Sequence, residues 1–418
     1  MEALRLLRVD LSAGTVKQEP LNPDWVRQFI GGRGYGTKLL YEELKPGTDP
    51  LSEGNKLIFA NGPLTGSNVP TGGRYMVVTK SPLTGFIASS NSGGYWGAEL
   101  ARTGYMALVV EGKSKKPVYL WIKDDKAELR DASSLWGKDT HATTDAVLKE
   151  VGDPKARVAC IGPAGEKLSR IACIINDKHR AAGRSGVGAV MGSKNLKAIA
   201  VKGSGTFKAA NPEGLKETLR VGMQKIKENG VTGEGLPTYG TAVLVNILNQ
   251  LGSYPYKNFQ ESQHEGAEKH SGEKLAETFL TGRTNCFACP IGCGRETALE
   301  DKKGEGPEYE TLWALGSNCG VDDLEPIIRA NYICNELGLD TISAGGTISA
   351  AMELYEKGFI PKEDLGVGPE LKFGSADALV YWTEKMGKVE GLGEKMAQGS
   401  YRLRSEEHTS ELQSPNTI

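Results

Sequence analysis

The sequence predicts an α+β protein in which a β-rich amino-terminal domain is followed by a helical domain. Up to about residue 205, short strand-like segments alternate with turns rich in Gly, Pro and Ser, and from about residue 211 the apolar period becomes helical. The length of 418 residues also exceeds what one ordinary core accommodates. We place the boundary near residues 205–211, which gives a first domain at residues 1–208 and a second at residues 209–403.

The elements of the first half follow from apolar alternation bounded by turn-forming residues. Strands are expected at residues 4–11, 56–60, 74–79 and 107–111, followed by a hairpin of residues 118–123 and 128–130. Helices are expected at residues 23–44, 95–103 and 140–151. Asp139 is suited to cap the last of these helices and Gly152 to end it.

The second half is predicted to be a series of helices with recognisable ends. They are expected at residues 212–229, 241–251, 324–337, 341–357 and 376–386. Asn211 is suited to cap the first, and the local pattern favours Asp340 as the cap of the helix that starts at Thr341.

Composition narrows the class of protein. Lys and Arg number 50 against 52 Asp and Glu, which argues against nucleic acid as the main partner. No apolar run reaches the length of a membrane span and no secretion signal is visible, so no membrane association is expected. Seven cysteines, an odd number dominated by one cluster, fit a reducing cytoplasm with a metal centre.

That cluster is Cys286, Cys289 and Cys293, a C-x2-C-x3-C array among small residues. Three thiolates this close can hold an iron–sulfur cluster or a zinc ion, and a fourth ligand would have to be remote. Buried cysteines without a ligand are the remaining interpretation.

Two glycine-rich stretches of the first half carry arginines. The earlier comprises residues 70–75 and 91–97, and the later comprises residues 179–188. Exposed backbone N–H groups beside guanidinium groups suit an anion with several oxygens, which suggests a phosphorylated cofactor. Ordinary tight turns with solvated arginines are the alternative, and neither stretch fits the Rossmann or P-loop pattern.

A pair of carboxylates follows the cysteines. Glu308 and Glu310 lie beside Tyr309 and Trp313, where one carboxylate could have a raised pKa and serve as an acid or base. A solvated loop is the alternative interpretation.

The last fifteen residues, 404–418, lack an apolar period and resemble the translation of a common sequencing adapter. We expect this segment to be a non-native, disordered tail that interrupts the natural chain near Arg404. A natural disordered tail is the alternative.

Together these stretches resemble the aldehyde:ferredoxin oxidoreductase family of tungsten enzymes, from about Leu4 to Leu403. The resemblance implies a β-rich saddle for a tungsten bis-pyranopterin cofactor, then helical domains that hold a [4Fe–4S] cluster. By position, Cys286, Cys289 and Cys293 match three cluster ligands and Glu310 matches a carboxylate near tungsten. The matches to residues around the pterins, their phosphates and a bridging magnesium are Arg74, Asn91, Gly93, Arg180, Ala181, Gly183, Arg184, Asn335, Leu339 and Asp340.

The chain also departs from the family pattern. Asn335 stands where the family has an aspartate, and Arg329 and Tyr332 occupy the positions of an E-x-x-H motif that bridges two subunits through a metal in some members. Any homodimer would therefore have to form without that metal bridge. The family's further helical domain, with its fourth cluster cysteine, is expected to be missing, and none of the five histidines matches the family's histidine near the metal. We therefore expect the 418-residue chain to be inactive alone.

The function implied by the resemblance is oxidation of an aldehyde to a carboxylic acid, with ferredoxin as the electron acceptor. The sequence leaves open which aldehyde is used and whether the metal is tungsten or molybdenum. A related family member that reduces a carboxylate or an aryl thioester is one alternative. A zinc-stabilised binding module without redox activity is another.

Overall fold

The computed structural model describes residues 5–407, and the predicted α+β class is confirmed. The strands are β1 (Arg5–Asp10), β2 (Thr15–Pro20), β3 (Leu57–Asn61), β4 (Tyr75–Lys80), β5 (Ile87–Ser92), β6 (Tyr105–Glu111), β7 (Val118–Lys123), β8 (Lys126–Asp131), β9 (Arg157–Cys160), β10 (Ile174–Asn176), β11 (Arg180–Ala182), β12 (Leu196–Lys202), β13 (Leu280–Thr284), β14 (Gly294–Ala298) and β15 (Lys303–Glu305). Twelve of these strands precede residue 205, as the amino-terminal alternation predicts.

The helices are distributed in the opposite way. They are α1 (Pro23–Phe29), α2 (Gly32–Glu43), α3 (Trp96–Arg102), α4 (Thr140–Val151), α5 (Pro163–Glu166), α6 (Val187–Ser193), α7 (Pro212–Glu228), α8 (Leu236–Tyr239), α9 (Leu244–Gln250), α10 (Gly272–Thr278), α11 (Tyr309–Thr311), α12 (Leu324–Leu337), α13 (Thr341–Glu356), α14 (Ala376–Lys388), α15 (Leu392–Met396) and α16 (Ser400–Glu407). None of the helices within residues 5–407 is long and apolar enough to cross a bilayer.

Two six-stranded sheets build the first half, with strand orders β2-β1-β6-β3-β4-β5 and β11-β10-β9-β12-β7-β8. Each contains one parallel pair, β1 with β6 and β7 with β12, among antiparallel neighbours. Apolar side chains from both sheets share one core, in which Phe59 and Leu108 of the first sheet join Leu120 and Ile199 of the second. Helix α2 covers the outer face of the first sheet and α4 that of the second.

The predicted helix over residues 23–44 is wrong in one respect, because it is broken into α1 and α2. Ile30 has a φ of 66°, which a continuing α-helix does not allow. A Cβ on Gly31 would lie 2.5 Å from the Met106 side chain and 3.0 Å from the carbonyl oxygen of Asn61. The break lets the chain pass close to the sheet.

Other helix ends agree with the cap signals. Asp139 accepts a hydrogen bond from the Ala142 amide at the start of α4, and Gly152 ends that helix with a φ of 68°. Helix α12 occupies the predicted residues, and α7 begins after an Asn211 cap. The segment predicted as a helix over residues 241–251 starts instead with a short 3₁₀ turn, Gly240–Val243, before α9.

A small sheet in the second half was not expected. Strands β13, β14 and β15 form it in that order, directly around the cysteine array, which lies between β13 and β14. The remaining helices pack around a second large core that contains Leu315, Ile328 and Trp382. Ala172 and Ile171 of the first half also belong to that core.

Residues between β12 and α7 form neither helix nor strand, and the domain bounds themselves remain a prediction. Helix α16 continues to Glu407, so residues 404–407 of the predicted disordered tail are helical. Residues 408–418 of that tail lie outside the described residues.

Candidate functional site

The first group of predicted cofactor residues lies where β4 begins and β5 ends. Arg74 precedes β4, is exposed, and donates a short hydrogen bond from Nη1 to Oδ1 of Asn91. Asn91 lies opposite Met76 in the β4–β5 pair, and its Nδ2 donates to the carbonyl oxygen of Tyr75 at 3.2 Å. Gly93 follows directly after β5. The structure therefore brings Arg74, Asn91 and Gly93 together.

The glycines of this region make room for the cysteine array. A Cβ on Gly93 would lie 2.7 Å from Sγ of Cys286, and one on Gly73 would lie 2.9 Å from Cβ of Phe287. The Phe287 amide donates to the carbonyl oxygen of Gly94 at 3.1 Å, and the Thr71 amide donates to that of Ala288 at 3.2 Å. These glycines thus allow two loops to approach each other closely. The interpretation of the glycines as part of an anion-binding site does not include this role.

Arg180 joins the later arginine stretch to the small sheet. Its side chain is 16 % exposed, and its Nη2 lies 2.5 Å from Oε1 of Glu305. The same nitrogen donates to Oγ1 of Thr284 at 3.2 Å, and Nη1 lies 3.6 Å from Oε1 of Glu308. Burial raises the pKa of Glu305 although Arg180 and Thr284 oppose the shift. Arg180 is therefore a largely buried cation held by carboxylates beside the cysteines.

The Asn335–Asp340 segment meets the other end of the same arginine stretch. Arg184 Nε lies 3.4 Å from Oδ2 of Asp340, and a Cβ on Gly183 would lie 3.0 Å from Oδ1 of that carboxylate. Ala181 is in β11 and Leu339 forms an isolated bridge with Ala172. The structure thus gathers Ala181, Gly183, Arg184, Leu339 and Asp340 into one region.

Asp340 is also the N-cap of α13. Its side chain accepts a hydrogen bond from the Ser343 amide at 3.0 Å, so the cap that the local pattern favours is present, although the family resemblance assigns this residue to the pterin instead. Burial raises the pKa of Asp340, against the opposing charge of Arg184. Asn335 lies in the last turn of α12, where its carbonyl oxygen accepts a hydrogen bond from Oγ1 of Thr140 at 2.7 Å.

The cysteine array forms a half-buried loop. Cys286, Cys289 and Cys293 are free thiols, and the Cys289 amide donates to the Cys286 carbonyl oxygen at 3.1 Å. Ala288 and Gly292 have φ values of 52° and 65°, so the chain turns sharply twice between the thiols. Burial raises the pKa of Cys293 to about 11, with Arg180 acting in the opposite direction.

The donor set of the array can be compared with what a cluster needs. Within residues 5–407, no three His, Cys, Asp or Glu side chains are arranged as the ligands of one metal ion. An iron–sulfur cluster binds each thiolate at a different iron atom, so its thiolates are spread more widely than those of a zinc ion. The chemistry of the donor set and the small residues around it therefore fit the cluster that the family resemblance implies.

The other four cysteines are fully buried. Cys319 and Cys334 belong to the core of the second half, as expected from their helical segments. Burial raises the pKa of each thiol. Neither is suited to serve as an accessible cluster ligand, because the charged thiolate form is disfavoured there.

Glu310 differs from the expectation. It lies in α11, but its side chain is exposed, so the described residues do not supply the desolvated environment predicted for this carboxylate. The buried carboxylate of the region is instead Glu305, which sequence reasoning missed. The chain after Glu310 continues as a π-helical turn, Leu312–Gly316, a rare geometry that is frequent at functional sites.

An aromatic contact that involves Trp313 was also missed. The Phe259 ring lies 5.6 Å from the ring of Trp313, and Phe259 is 62 % exposed. Trp313 Nε1 is buried and has no hydrogen-bond partner among the described residues. Lys257, Asn258 and Phe259 all have positive φ values, which no local pattern in the sequence announces.

The E-x-x-H positions have other partners. Arg329 forms ion pairs with Asp301 and Glu325, and the Tyr332 hydroxyl donates to the Thr297 carbonyl oxygen at 2.9 Å.

Two sheets, a helical second half and a cysteine array docked on glycine loops define an α+β architecture with a candidate cofactor site. Comparison with known protein families narrows this class. Residues 6–203 match the aldehyde ferredoxin oxidoreductase N-terminal domain, and residues 217–413 match domains 2 and 3 of the same family. The chain belongs to the aldehyde ferredoxin oxidoreductase family.

The similarity to individual proteins agrees with this family assignment. The chain is 55 % identical over 400 residues to the tungsten-containing aldehyde ferredoxin oxidoreductase of Pyrococcus furiosus, and the alignment covers 96 % of this chain and 66 % of that protein. It is 36 % identical to the aliphatic sulfonate oxidoreductase WOR-like subunit of the same organism, over 95 % of this chain and 66 % of the relative. The chain thus spans 66 % of the length of these relatives.

A solved structure has the same fold. The active site complex BamBC of benzoyl coenzyme A reductase, in complex with 1,5-dienoyl-CoA, superposes with a TM-score of 0.86 at 30 % identity. The match covers 97 % of this chain and 63 % of the solved chain.

Proposed function

We propose that this protein is an aldehyde ferredoxin oxidoreductase that converts an aldehyde and water into a carboxylic acid. Two electrons and two protons are released, and ferredoxin accepts the electrons. The observation that carries the proposal is Arg180, because this buried cation connects the predicted pterin stretch at residues 180–184 to the sheet that frames the cysteine array. The 55 % identity to a tungsten-containing enzyme supports the same activity.

A tungsten bis-pyranopterin cofactor, when bound, supplies the two-electron redox centre, and a [4Fe–4S] cluster passes electrons on one at a time. Arg74 and Arg180 would bind the anionic ends of the pterins, and Asn91, Gly93, Ala181, Gly183 and Arg184 would line the phosphates and a bridging magnesium. Asn335, Leu339 and Asp340 would form a second pterin-contacting motif. Cys286, Cys289 and Cys293 would hold three irons of the cluster.

Glu310 is proposed to move a proton at its carboxylate. An exposed carboxylate on α11 can exchange protons with solvent. In a full-length form of the gene, Glu310→Gln should retain pterin, tungsten and iron but lower aldehyde oxidation by about 10²-fold or more. Near-normal turnover at full cofactor occupancy would show that the carboxylate is dispensable.

The proposed activity is tested by anaerobic expression with tungstate. In a chain extended by the family's further helical domain we expect iron, sulfide and tungsten, together with aldehyde-dependent reduction of a viologen dye, whereas the 418-residue chain should be inactive. A colourless protein that contains zinc in place of iron would contradict the proposal and favour the zinc-stabilised binding module.

A second candidate is reduction of an aryl thioester or carboxylate. The likeness to the benzoyl coenzyme A reductase active site complex favours it. Assays with aromatic thioesters and a strong reductant would distinguish the two, since only the second candidate consumes the thioester.

A further inference from the structure

The surface beside the cysteine array carries aromatic rings under exposed arginines. Phe287 lies in the array loop, and Cζ of Arg102 is 5.1 Å from the centroid of its ring. The Tyr95 ring meets Phe287 edge-on at 6.4 Å, and Cζ of Arg157 is 4.6 Å from the Tyr95 centroid. We call Tyr95, Arg102, Arg157 and Phe287 the arginine–aromatic face.

The cations of this face point outward. The Arg102 and Arg157 side chains are 36 % and 39 % exposed, whereas their carboxylate partners Glu99 and Asp177 are only 8 % and 10 % exposed. An approaching molecule would therefore meet positive charge before negative charge. This local charge contrasts with the whole chain, whose formal net charge is −2.

An open cleft continues the positive surface. Its volume is about 660 Å³, and Arg102, Lys208 and Lys216 are among its lining residues. No described residue that lines it is an Asp or a Glu. The cleft lies between the end of α3 and the start of α7, so it extends the arginine–aromatic face away from the cysteines.

We propose that the arginine–aromatic face and this cleft form the docking site for a small acidic electron-carrier protein. Arginine and aromatic side chains are enriched in the cores of protein–protein interfaces, and complementary charge steers a diffusing partner. Electron transfer also requires that the carrier dock close to the cluster ligands, and Phe287 is the neighbour of Cys286 in the chain. The proposal rests on the proposed oxidoreductase function.

The test measures binding of a purified acidic ferredoxin to the cofactor-loaded protein, extended by the family's further helical domain. The double variant Arg102→Glu/Arg157→Glu should raise the Kd at least about tenfold and flatten its dependence on salt. Aldehyde-dependent reduction of a viologen dye, which needs no docked protein, should stay unchanged. The matched control is Lys362→Glu/Lys372→Glu, which reverses two exposed charges on a loop that contributes neither to the face nor to the cleft.

A neutral pair, Arg102→Gln/Arg157→Gln, covers the case in which the charge reversal disturbs folding. It should weaken ferredoxin binding by a smaller factor than the charge reversal. Wild-type ferredoxin affinity in a folded charge-reversed or neutral variant would overturn the docking proposal. Absence of viologen reduction in the extended protein without substitutions would instead overturn the proposed function, while the binding measurement would still decide whether this face binds ferredoxin.

Discussion

Arg180 is a positively charged side chain in a largely buried position. A guanidinium that is 16 % exposed loses much of its hydration, and the loss is offset here by Glu305, Thr284 and Glu308. The carboxylates therefore hold Arg180 in one orientation beside the cysteine array. A residue fixed in this way can bind an anion without first reorganising.

We predict that Arg180→Met lowers both stability and cofactor content. Removal of the cation leaves Glu305 buried and unpaired, at a cost of about 3 kcal/mol in the free energy of unfolding. The matched control is Arg180→Met/Glu305→Gln, which removes that buried charge. Urea unfolding should recover in the double variant, while pterin and tungsten per chain should stay low.

Full pterin and tungsten loading in the double variant would show that Arg180 is structural only. The exposed Arg74 provides an independent comparison. Arg74→Ala should lower cofactor content with little change in stability, because no buried carboxylate depends on it for a partner.

We predict that His270 makes the protein sensitive to acid. It is fully buried, its Nε2 lies 2.8 Å from the Tyr254 hydroxyl, and burial lowers its pKa to about 4. Below a pH of about 6.5, His270 is protonated in the unfolded chain but stays neutral in the folded protein. The free energy of unfolding therefore falls as the pH decreases towards 4. The full loss is about 3 kcal/mol.

Urea unfolding between pH 7 and pH 4 measures this loss. His270→Gln should be less stable at pH 7 but should lose less stability on acidification. His179, whose pKa burial also lowers to about 4, should cause a residual slope in that variant. Identical slopes in the variant and the unaltered protein would assign the acid sensitivity to other groups.

At the residue scale, the sequence predicted which side chains are suited to a chemical role better than it predicted how buried each side chain is. The spacing of Cys286, Cys289 and Cys293 and the cap at Asp340 could be read locally, because each depends on neighbours in the chain. The burial of Glu305 and the exposure of Glu310 could not, because both depend on how β15 and α11 pack against distant residues. The predicted cofactor contacts remain predictions.

At the scale of elements, the segment 257–259 is the most strained that we find. Lys257, Asn258 and Phe259 have φ values of 46°, 52° and 63°, a left-handed region that non-glycine residues enter at a cost. Asn258 offsets part of this cost, because its Nδ2 donates to Oε2 of Glu353 at 2.6 Å and its Oδ1 accepts from Ser349 at 3.2 Å. The strain presents Phe259 to Trp313.

We predict that Lys257→Gly stabilises the protein by about 0.5–1 kcal/mol, because glycine adopts this backbone conformation without steric cost. Asn258→Gly is the matched control, and it should destabilise the protein since it removes both side-chain hydrogen bonds. Urea unfolding of the two variants at neutral pH is the measurement. A destabilised Lys257→Gly would mean that the lysine side chain matters more than the backbone strain.

Whether a segment forms a helix or a strand was predictable where its apolar residues follow a single period. Helices α4, α7, α12 and α13 have strong caps and long apolar repeats, and their starts agree with prediction. The small sheet β13–β15 has short strands without clear alternation, so only pairing between them reveals it. The break between α1 and α2 likewise depends on a distant contact, that of Gly31 with Met106.

At the scale of the whole molecule, the two predicted domains share a core. Ala164, Ile171, Ala172 and Ala189 of the first half pack in the core of the helical second half. Main-chain hydrogen bonds also cross between the halves, from the Cys173 amide to the Gly338 carbonyl oxygen at 2.9 Å and from the Arg170 amide to that of Ala397 at 2.9 Å. A sequence boundary at residue 208 therefore does not separate two independent cores.

We predict that residues 209–407 are poorly soluble when expressed alone, because the apolar surface that packs on these four residues becomes exposed. Co-expression with residues 1–208 should recover a soluble complex. Size-exclusion chromatography of each product is the measurement. A soluble, monomeric helical fragment with cooperative urea unfolding would contradict the shared core.

The shared core has a consequence for biosynthesis. The predicted cofactor residues at 180–184 belong to the first half of the chain, and those at 335–340 belong to the second half. The Cys173–Gly338 and Asp340–Ile171 hydrogen bonds join these two halves. Once these bonds have formed, the two halves cannot separate far enough to admit a bulky prosthetic group. We therefore expect insertion to occur during maturation, on a partly assembled chain, with the final packing of the helices sealing the cofactor in for the lifetime of the protein.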